Sequence, residues 1–214
     1  MFPFAPHLRS LKPARRMITV AGTLTGFTLV AALGALPAAP AQAATVATCP
    51  VPVLSQPFLQ WGDANQYSLI PDGSFESLPV GWTFLGALPV LGGQPYNLTG
   101  KPSLWSLAMP LSSVAQSPSM CVEPNDRTFR FMARSEGAEA TLRVQLVYQT
   151  PLGALVSAGT KLTLHSTWAP TAILHTGAAL ATAIIGETAK LSLRFTTLSG
   201  SARIDDVFLD PRRK

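Results

Sequence analysis

Histidine and cysteine are scarce in this chain, with three histidines and two cysteines among 214 residues. Only His165 and His175 lie beyond the N-terminal segment, and neither stands in a metal-binding or nucleophile-elbow spacing. Two cysteines are too few for a thiolate zinc site. Paired carboxylates serve glycosidases, but the neighbours Asp205 and Asp206 are expected to point to opposite faces of one strand. The sequence therefore predicts a protein that is not an enzyme.

Acidic residues are absent from the first 43 positions. The only charged residues there are basic: Arg9, Lys12, Arg15 and Arg16. An uncharged apolar stretch follows over 17–36, and prolines then lead to Ala41-Gln42-Ala43, where small side chains suit a signal peptidase. This pattern predicts a signal peptide over 1–43, cleaved after Ala43, and a secreted or extracellular protein. An uncleaved anchor is the alternative, because about 20 residues can span a bilayer, and the paired arginines also allow twin-arginine export.

The predicted cleavage removes most of the excess positive charge. The whole chain has 16 basic and 11 acidic residues, so subtracting the four N-terminal basic residues leaves 12 and 11. A nearly neutral mature chain gives no support to nucleic-acid binding, and no membrane contact is expected after cleavage. The remaining 171 residues, 214 minus 43, are enough for one domain with a buried core.

Cys49 and Cys121 both lie in the mature part of the chain. An even pair in an exported protein is typical of a disulfide, whereas a redox pair stands closer in sequence. Closing this loop of about 73 residues would stabilise the fold by roughly 4 kcal/mol in the chain-entropy model. The bridge is predicted to tie down an extended leader, residues 44–67, in which three prolines oppose sheet pairing.

Apolar and polar residues alternate with a period of two along most of the remaining chain. The clearest case runs from Ala140 to Tyr148, and the same pattern covers 128–134 and 190–195. Further strands are predicted over 82–85, 104–108, 155–164, 172–176 and 204–209. One helix is plausible over 177–185. Many short strands separated by Gly, Pro, Asn and Asp predict an all-β antiparallel sandwich over 68–211, followed by a basic tail at 212–214.

Two short motifs carry a resemblance to a known family. Residues 69–76 read Leu-Ile-Pro-Asp-Gly-Ser-Phe-Glu and are followed by Gly81-Trp82, which resembles the N-G-x-F-E … W opening of galactose-binding-like jelly rolls, among them several families of carbohydrate-binding modules. Asp72 stands where that motif has Asn, and either residue suits a turn before glycine. The stretch 204–209, Ile-Asp-Asp-Val-Phe-Leu, is similar to the I-D-D-V last strand of the same domains. The leader, with Trp61-Gly62-Asp63, looks like that of exported bacterial proteins without an assigned activity.

This resemblance implies a jelly roll whose first and last strands lie side by side. In many of these domains the same place holds a structural calcium ion. Glu76, together with Asp205 or Asp206, would then supply hard oxygen ligands. The alternative is that these acids cap turns or pair with Arg203.

Aromatic side chains are the residues that would hold a sugar ring. Tyr96 lies in the loop over 92–100, which is rich in Gly, Pro and Asn, and it is the aromatic residue expected to bind a ligand unless it folds over the sandwich edge. Trp82, Trp105 and Trp168 are expected in the core. Five basic strand residues would line either a concave binding face or a solvated outer face: Arg130, Arg134, Arg143, Lys190 and Arg194.

The sequence therefore predicts an exported, non-catalytic binding module whose partner is an extracellular or cell-wall polysaccharide or a cell-surface glycan. The alternative is a structural or adhesive surface protein with no sugar ligand. The second hypothesis gains support because carbohydrate-binding modules usually accompany an enzyme on the same chain. Analogy at the level of the fold does not choose between the two.

Overall fold

A computed structural model describes residues 49–77, 79–186 and 188–211. Within these ranges the chain forms two antiparallel β-sheets and one short α-helix, so the predicted β-sandwich is confirmed. No helix in the described ranges is long and apolar enough to cross a membrane. The predicted signal peptide and the tail at 212–214 lie outside the described residues.

The sandwich is built from fourteen described strands, several of them only two to four residues long. In chain order they are β1 Ser68–Leu69, β2 Thr83–Leu85, β3 Leu88–Leu91, β4 Trp105–Met109, β5 Val114–Gln116, β6 Met120–Val122, β7 Thr128–Ser135, β8 Glu139–Thr150, β9 Gly153–Val156, β10 Thr160–His165, β11 Ala169–Pro170, β12 Leu174–His175, β13 Ala189–Ser199 and β14 Ala202–Asp210. The helix α1, Ala178–Ile185, lies where the sequence predicts it.

The two sheets share the long strands equally. The first sheet runs β11, β7, β14, β4, β3, with β1 on β14 and β12 on β7; the second runs β10, β8, β13, β5, β2, with β6 on β13 and β9 on β8. Among the long strands the chain crosses between the sheets twice, from β7 to β8 and from β13 back to β14. Ser68 lies opposite Leu209, so the first and last strands are neighbours, as the resemblance implies.

A hydrophobic core fills the space between the sheets. Most of the apolar positions that alternation assigns to the core are buried in it: Phe129, Phe131, Leu142, Val144, Leu191, Leu193 and Phe195. Leu146 is partly buried and packs against the same cluster. Phe131 of the first sheet meets Phe195 of the second edge to face, with ring centroids 5.2 Å apart, and this contact joins the two layers.

The predicted strand over 155–164 is wrong, because the chain forms two strands there, β9 and β10. At the break the hydroxyl of Ser157 accepts a hydrogen bond from the Leu146 N–H (2.9 Å). Gly159 then takes a positive φ of 89°, and a Cβ there would lie 2.9 Å from the Val144 carbonyl oxygen. The sequence also misses β3, β5 and β6, which at three or four residues are too short to show a periodic pattern.

A second apolar cluster covers the outer face of the first sheet. Its buried members come from the leader, from the loop over 92–100 and from the sheet itself: Phe58, Tyr67, Leu98, Met132 and Phe208. The leader is thus more than an extended strap: it contains a short 3₁₀ turn at Leu59–Trp61 and a bridge between Ser55 and Tyr67. The predicted disulfide between Cys49 and Cys121 is confirmed, with a Cα–Cα distance of 5.4 Å.

Candidate functional site

The outer face of the second sheet carries an ordered row of polar side chains. Antiparallel register places Thr83 opposite Gln116, Gln116 opposite Arg194 and Arg194 opposite Gln145, so one line crosses four strands. A second line, two residues further along each strand, places Arg143 opposite Thr196. Because side chains alternate between the faces of a strand, both lines project away from the core.

These lines border an open groove of about 400 Å³. Its lining residues come from β2, β5, β8 and β13: Thr83, Phe84, Leu85, Val114, Gln116, Arg143, Gln145, Arg194 and Thr196. Phe84 also packs against the core, and Leu85 is 71% exposed at the side of the groove. The groove therefore combines hydrogen-bonding groups with an apolar border, which is the composition of a ligand site.

Hydrogen bonds to other groups of the protein orient two polar side chains of the groove. The Arg194 Nε donates to Gln116 Oε1 (2.9 Å), and the Gln145 Nε2 donates to the Ser157 carbonyl oxygen (3.0 Å). The Nε of Arg143 is buried and has no hydrogen-bond partner. A buried donor of that kind is costly unless a water molecule or a ligand accepts its hydrogen bond.

The outer face of the first sheet differs, because Arg130 and Arg134 are already engaged there. Arg130 forms an ion pair with Asp63 of the leader (2.7 Å), and its guanidinium lies 4.8 Å from the centre of the Phe58 ring. Arg134 lies over the ring of Trp168 at 5.5 Å. The five basic residues that the sequence groups together thus fall on two different sheets.

Tyr96 lies on this covered face and not in the groove. It is partly buried against the second cluster, its ring meets that of Trp61 edge to face at 4.9 Å, and its hydroxyl donates to the Trp168 carbonyl oxygen (3.2 Å). This is the folded-over position that the sequence leaves open as its alternative. A ligand role for Tyr96 stays a prediction.

The three tryptophans expected in the core have different environments. Trp82 is buried and donates from Nε1 to the Pro71 carbonyl oxygen (3.0 Å). Trp168 is only partly buried, against the second cluster. Trp105 is 36% exposed, so its predicted burial is wrong: it stands at the first position of β4, beside the edge strand β3, where Leu91 opposite it is exposed too.

The predicted metal ligands meet in a hydrogen-bonded acidic cluster, which comprises Glu76, Asp205 and Asp206. Glu76 Oε1 accepts hydrogen bonds from the backbone N–H groups of Leu104 and Trp105, both at 2.9 Å. Asp205 Oδ2 accepts from the Gln94 N–H (2.9 Å) and lies 2.7 Å from the Ser103 hydroxyl. Asp206 Oδ2 accepts from the Gln94 side-chain amide at 2.8 Å.

A bulge in the last strand brings the two aspartates together. The register of β14 against β7 shifts between Asp205 and Phe208, and Asp206 takes a positive φ of 44°. The expectation that these neighbours point to opposite faces is therefore wrong, since both carboxylates contact Gln94. Both are at most 1% exposed, so neither can flank a glycosidic bond in a surface cleft. Arg203 pairs instead with Glu136 at 2.5 Å.

Burial governs the ionisation of this cluster. Loss of solvation raises the pKa of Asp205 well above its usual range, and the charge of Asp206 raises it further. Burial also raises the pKa of Asp206; the hydrogen bond from Gln94 opposes this shift, and the carboxylate of Glu76 adds to it. Two buried like charges side by side disfavour the ionised form of each, and a cation bound between them would relieve that cost.

The donor chemistry of the acidic cluster suits calcium. Carboxylate oxygens are the ligands that this ion prefers, and Asp206 Oδ1 is buried without a hydrogen-bond partner. In the described ranges, however, no three His, Cys, Asp or Glu side chains by themselves surround a common point that could hold a metal. The acids are joined through Ser103 and Gln94.

Solved structures that resemble the fold include the following three. The family 11 carbohydrate-binding module from Clostridium thermocellum, in complex with a β-1,3-1,4-mixed-linked tetrasaccharide, has 13% identity over 64% of this chain and 91% of that one, with a TM-score of 0.45. The family 22 xylan-binding domain of a Paenibacillus barcinonensis protein has 12% identity over 64% and 90%, with a TM-score of 0.41. The K1 cleaved adhesin domain of Lys-gingipain from Porphyromonas gingivalis W83 has 13% identity over 64% of this chain and 94% of that one, with a TM-score of 0.42.

No protein-family model and no curated protein sequence matches the chain. The structural neighbours include two carbohydrate-binding modules and an adhesin domain. Their TM-scores lie below 0.5, and the strand order and register of this chain themselves define the sandwich.

Proposed function

We propose that this protein is an exported, non-catalytic module that binds an extracellular or cell-wall polysaccharide in the groove on the second sheet. The observation that supports this most is the line of Thr83, Gln116, Arg194 and Gln145, which gives one open face donors and acceptors at regular strand spacing. Strands lie about 4.8 Å apart, close to the length of one sugar unit. A chain lying across the strands would thus meet a polar side chain at each unit.

Sugar binding needs hydrogen bonds to hydroxyl groups and apolar contact with ring C–H groups. Gln116 offers its side-chain N–H donors, Gln145 offers its side-chain carbonyl acceptor, and Arg194 offers donors only, since the Gln116 Oε1 and the Gln145 Nε2 already make hydrogen bonds within the protein. Leu85 and Phe84 supply the apolar border of the groove. On the first sheet, by contrast, the leader packs against the outer face at Met132 and Phe208, so this part of the face is not open to a polymer.

A glycan array probed with the purified protein tests this proposal. We expect binding to at least one plant, fungal or bacterial glycan, and we expect Gln116→Ala and Gln145→Ala each to weaken it about fivefold or more, the loss of about 1 kcal/mol of hydrogen bonding. Tyr96→Phe, which removes only a hydroxyl on the other sheet, should bind normally if the groove holds the ligand, whereas a loss of binding would support the ligand role that the sequence predicts for Tyr96. No binding to any glycan would refute the proposal.

A structural or adhesive role is the second candidate. Its support is the apolar edge of the first sheet, where Leu88, Leu91, Leu104 and Trp105 are exposed. An exposed apolar edge is a surface on which another protein can pack. Absence of sugar binding, together with self-association or surface adhesion that Leu91→Lys abolishes, would favour this role over the first.

We also propose that a calcium ion binds at the acidic cluster and joins the loop that carries Glu76 to the last strand. Glu76, with Asp205 or Asp206, would supply carboxylate ligands and backbone carbonyl oxygens would supply others; the buried Asp206 Oδ1, which has no hydrogen-bond partner, supports this assignment. When bound, the ion would neutralise the repulsion between the buried carboxylates. Its role would be to stabilise the fold, since both aspartates are closed to solvent.

A further inference from the structure

The groove on the second sheet has a strong local charge although the mature chain is nearly neutral. Its nine lining residues include Arg143 and Arg194 and no acidic residue. Lys161 of β10 lies directly opposite Arg143 in the register, so a third positive charge borders the same line. The groove therefore concentrates positive charge that composition alone does not show.

Two of these charges lie close together. Arg143 faces Thr196 and Arg194 faces Gln145, which makes the two arginines diagonal neighbours on adjacent strands. Diagonal pairs lie about 7 to 8 Å apart, within reach of long side chains, and like charges at that range repel. A folded protein keeps such a pair most easily where an anion compensates it.

The described acids nearest in sequence do not supply that compensation. Glu139, on the same strand as Arg143, lies 3.6 Å from His165 at the other end of the strand pair. Arg130, on the first sheet, shows the contrast, because Asp63 sits against it at 2.7 Å.

The arginines of the groove also have hydrogen-bonding capacity to spare. The Nε of Arg143 is buried without a partner and cannot be reached from the groove, so the capacity of this residue lies in its terminal guanidinium N–H groups. Arg134 has an unpartnered Nε too, but its guanidinium lies over Trp168 on the covered face, whereas Arg143 borders an open groove. Arg194 is oriented by its bond to Gln116. A guanidinium fixed in this way presents the planar fork that matches an oxyanion.

We infer that the groove selects acidic polysaccharide, a sugar chain whose units carry oxyanion groups such as carboxylate or sulfate. Arg143 and Arg194 bind the oxyanions, and Gln116 and Gln145 bind the neighbouring hydroxyl groups. This inference rests on the proposed function and specifies its ligand class.

Matched pairs of polymers test the inference. Polygalacturonate is compared with its fully methyl-esterified form, which has the same backbone without the charge, and dextran sulfate is compared with dextran. We expect binding to at least one charged polymer that is at least tenfold tighter than to its uncharged partner, and the polymer that binds identifies the oxyanion. Raising the salt concentration should weaken this binding, because screening acts on exposed charges.

Variants link the preference to the groove. Arg143→Gln and Arg194→Gln should each weaken binding of the charged polymer about tenfold, as expected for loss of one charge-assisted hydrogen bond. Arg127→Gln removes the same charge from an exposed loop outside the groove and should change binding less than twofold.

The outcomes separate this inference from the function on which it rests. Binding to neutral glycans that Gln145→Ala reduces, with no preference for the charged polymers, would overturn the acidic ligand and leave the carbohydrate function standing. A charged-polymer preference that persists in Arg143→Gln and Arg194→Gln would also overturn it. No binding to any polymer, charged or neutral, would overturn both.

Discussion

Arginine residues lie on the outer faces of both sheets of this sandwich, but their surroundings differ. On the first sheet, Arg130 is paired with Asp63 and packed on Phe58, and the leader packs over this part of the face. On the second sheet, Arg143 and Arg194 border an open groove that no acid lines. A basic residue on a strand therefore serves stability where an acid and an aromatic ring pack against it. Where neither covers it, the same residue type is free to bind a ligand.

The largest expected effect concerns the cover of the first face. Phe58 is fully buried and contacts Tyr67 and Phe208 edge to face at 5.0 and 5.6 Å. Phe58→Ala should destabilise the protein by about 3 to 5 kcal/mol, because it leaves a cavity in a packed cluster. Leu85→Ala, at an exposed position in the groove, should cost well under 1 kcal/mol. Urea denaturation measures both; equal losses would mean that the leader is not a second core.

Loss of the ion pair on the first face should cause the next largest loss of stability. Asp63 accepts hydrogen bonds from the Tyr67 hydroxyl and from Arg130; although burial opposes it, these bonds hold the pKa of Asp63 below its usual range. Asp63→Ala leaves Arg130 buried without its anion and should destabilise by about 3 kcal/mol. The double variant with Arg130→Met should recover part of this loss. A double variant less stable than Asp63→Ala would contradict the pairing.

Calcium should change the free energy of unfolding by about as much as Asp63→Ala does, or by less. A ligand that binds only the folded state at about 100 times its dissociation constant adds roughly 2.7 kcal/mol, so the melting temperature should rise with calcium and fall with chelator. Glu76→Ala should abolish the difference, whereas Glu136→Ala, an acid that pairs with Arg203 elsewhere, should keep it. A melting temperature indifferent to calcium, for protein first stripped of metal, would leave these acids with hydrogen bonds alone.

The metal-free protein should also show a distinct pH dependence. The pKa of Asp205 is near 4 in an unfolded chain and is raised by burial and by Asp206 to about 8 in the fold. Its contribution to stability is therefore fully present below about pH 4 and is lost as the pH rises towards 8. Asp205→Asn should flatten this decline, and saturating calcium should do the same. Denaturation midpoints measured across this range check the sign, and a midpoint that rises with pH in step with Asp205 would contradict it.

The smallest stability effects are expected at the groove. Arg143→Gln and Arg194→Gln should change the free energy of unfolding by less than about 0.5 kcal/mol, because their charges make no ion pair in the described structure. Relief of their mutual repulsion could even stabilise the protein slightly. A loss above 2 kcal/mol in either variant would place these residues with Arg130, as parts of the structure.

Much of the fold follows from local pattern. The alternation over 140–148 and around Leu191, Leu193 and Phe195 reports which side chains face a core, and the structure buries them. Alternation does not report which sheet a strand joins, because pairing partners are set by contacts far apart in sequence. Arg130 and Arg143 therefore look alike in sequence although they lie on different sheets.

The sites show the same limit. The motifs around Glu76 and Asp205 lead to two residues that both contact the Ser103 hydroxyl in the structure, but the bulge that turns Asp206 towards Gln94 has no signal in a period-two pattern. The sequence does not show the groove as a specific place, because the groove is assembled from four strands, two of which, β2 and β5, are only three residues long. Tyr96 stands out in the sequence because of its loop, but its contact with Trp61 joins residues 35 positions apart in the chain and has no local signal.

The most direct test is to map the bound surface by NMR, following backbone amide shifts while the tightest-binding glycan from the array is added. Binding in the groove predicts shifts centred on the strands that build it, at residues 83–85, 114–116, 143–145 and 194–196, with Arg130, Asp63 and Tyr96 unaffected. Shifts centred on Tyr96, Trp61 and Trp168 instead would place the ligand on the covered face and refute the groove as the binding site.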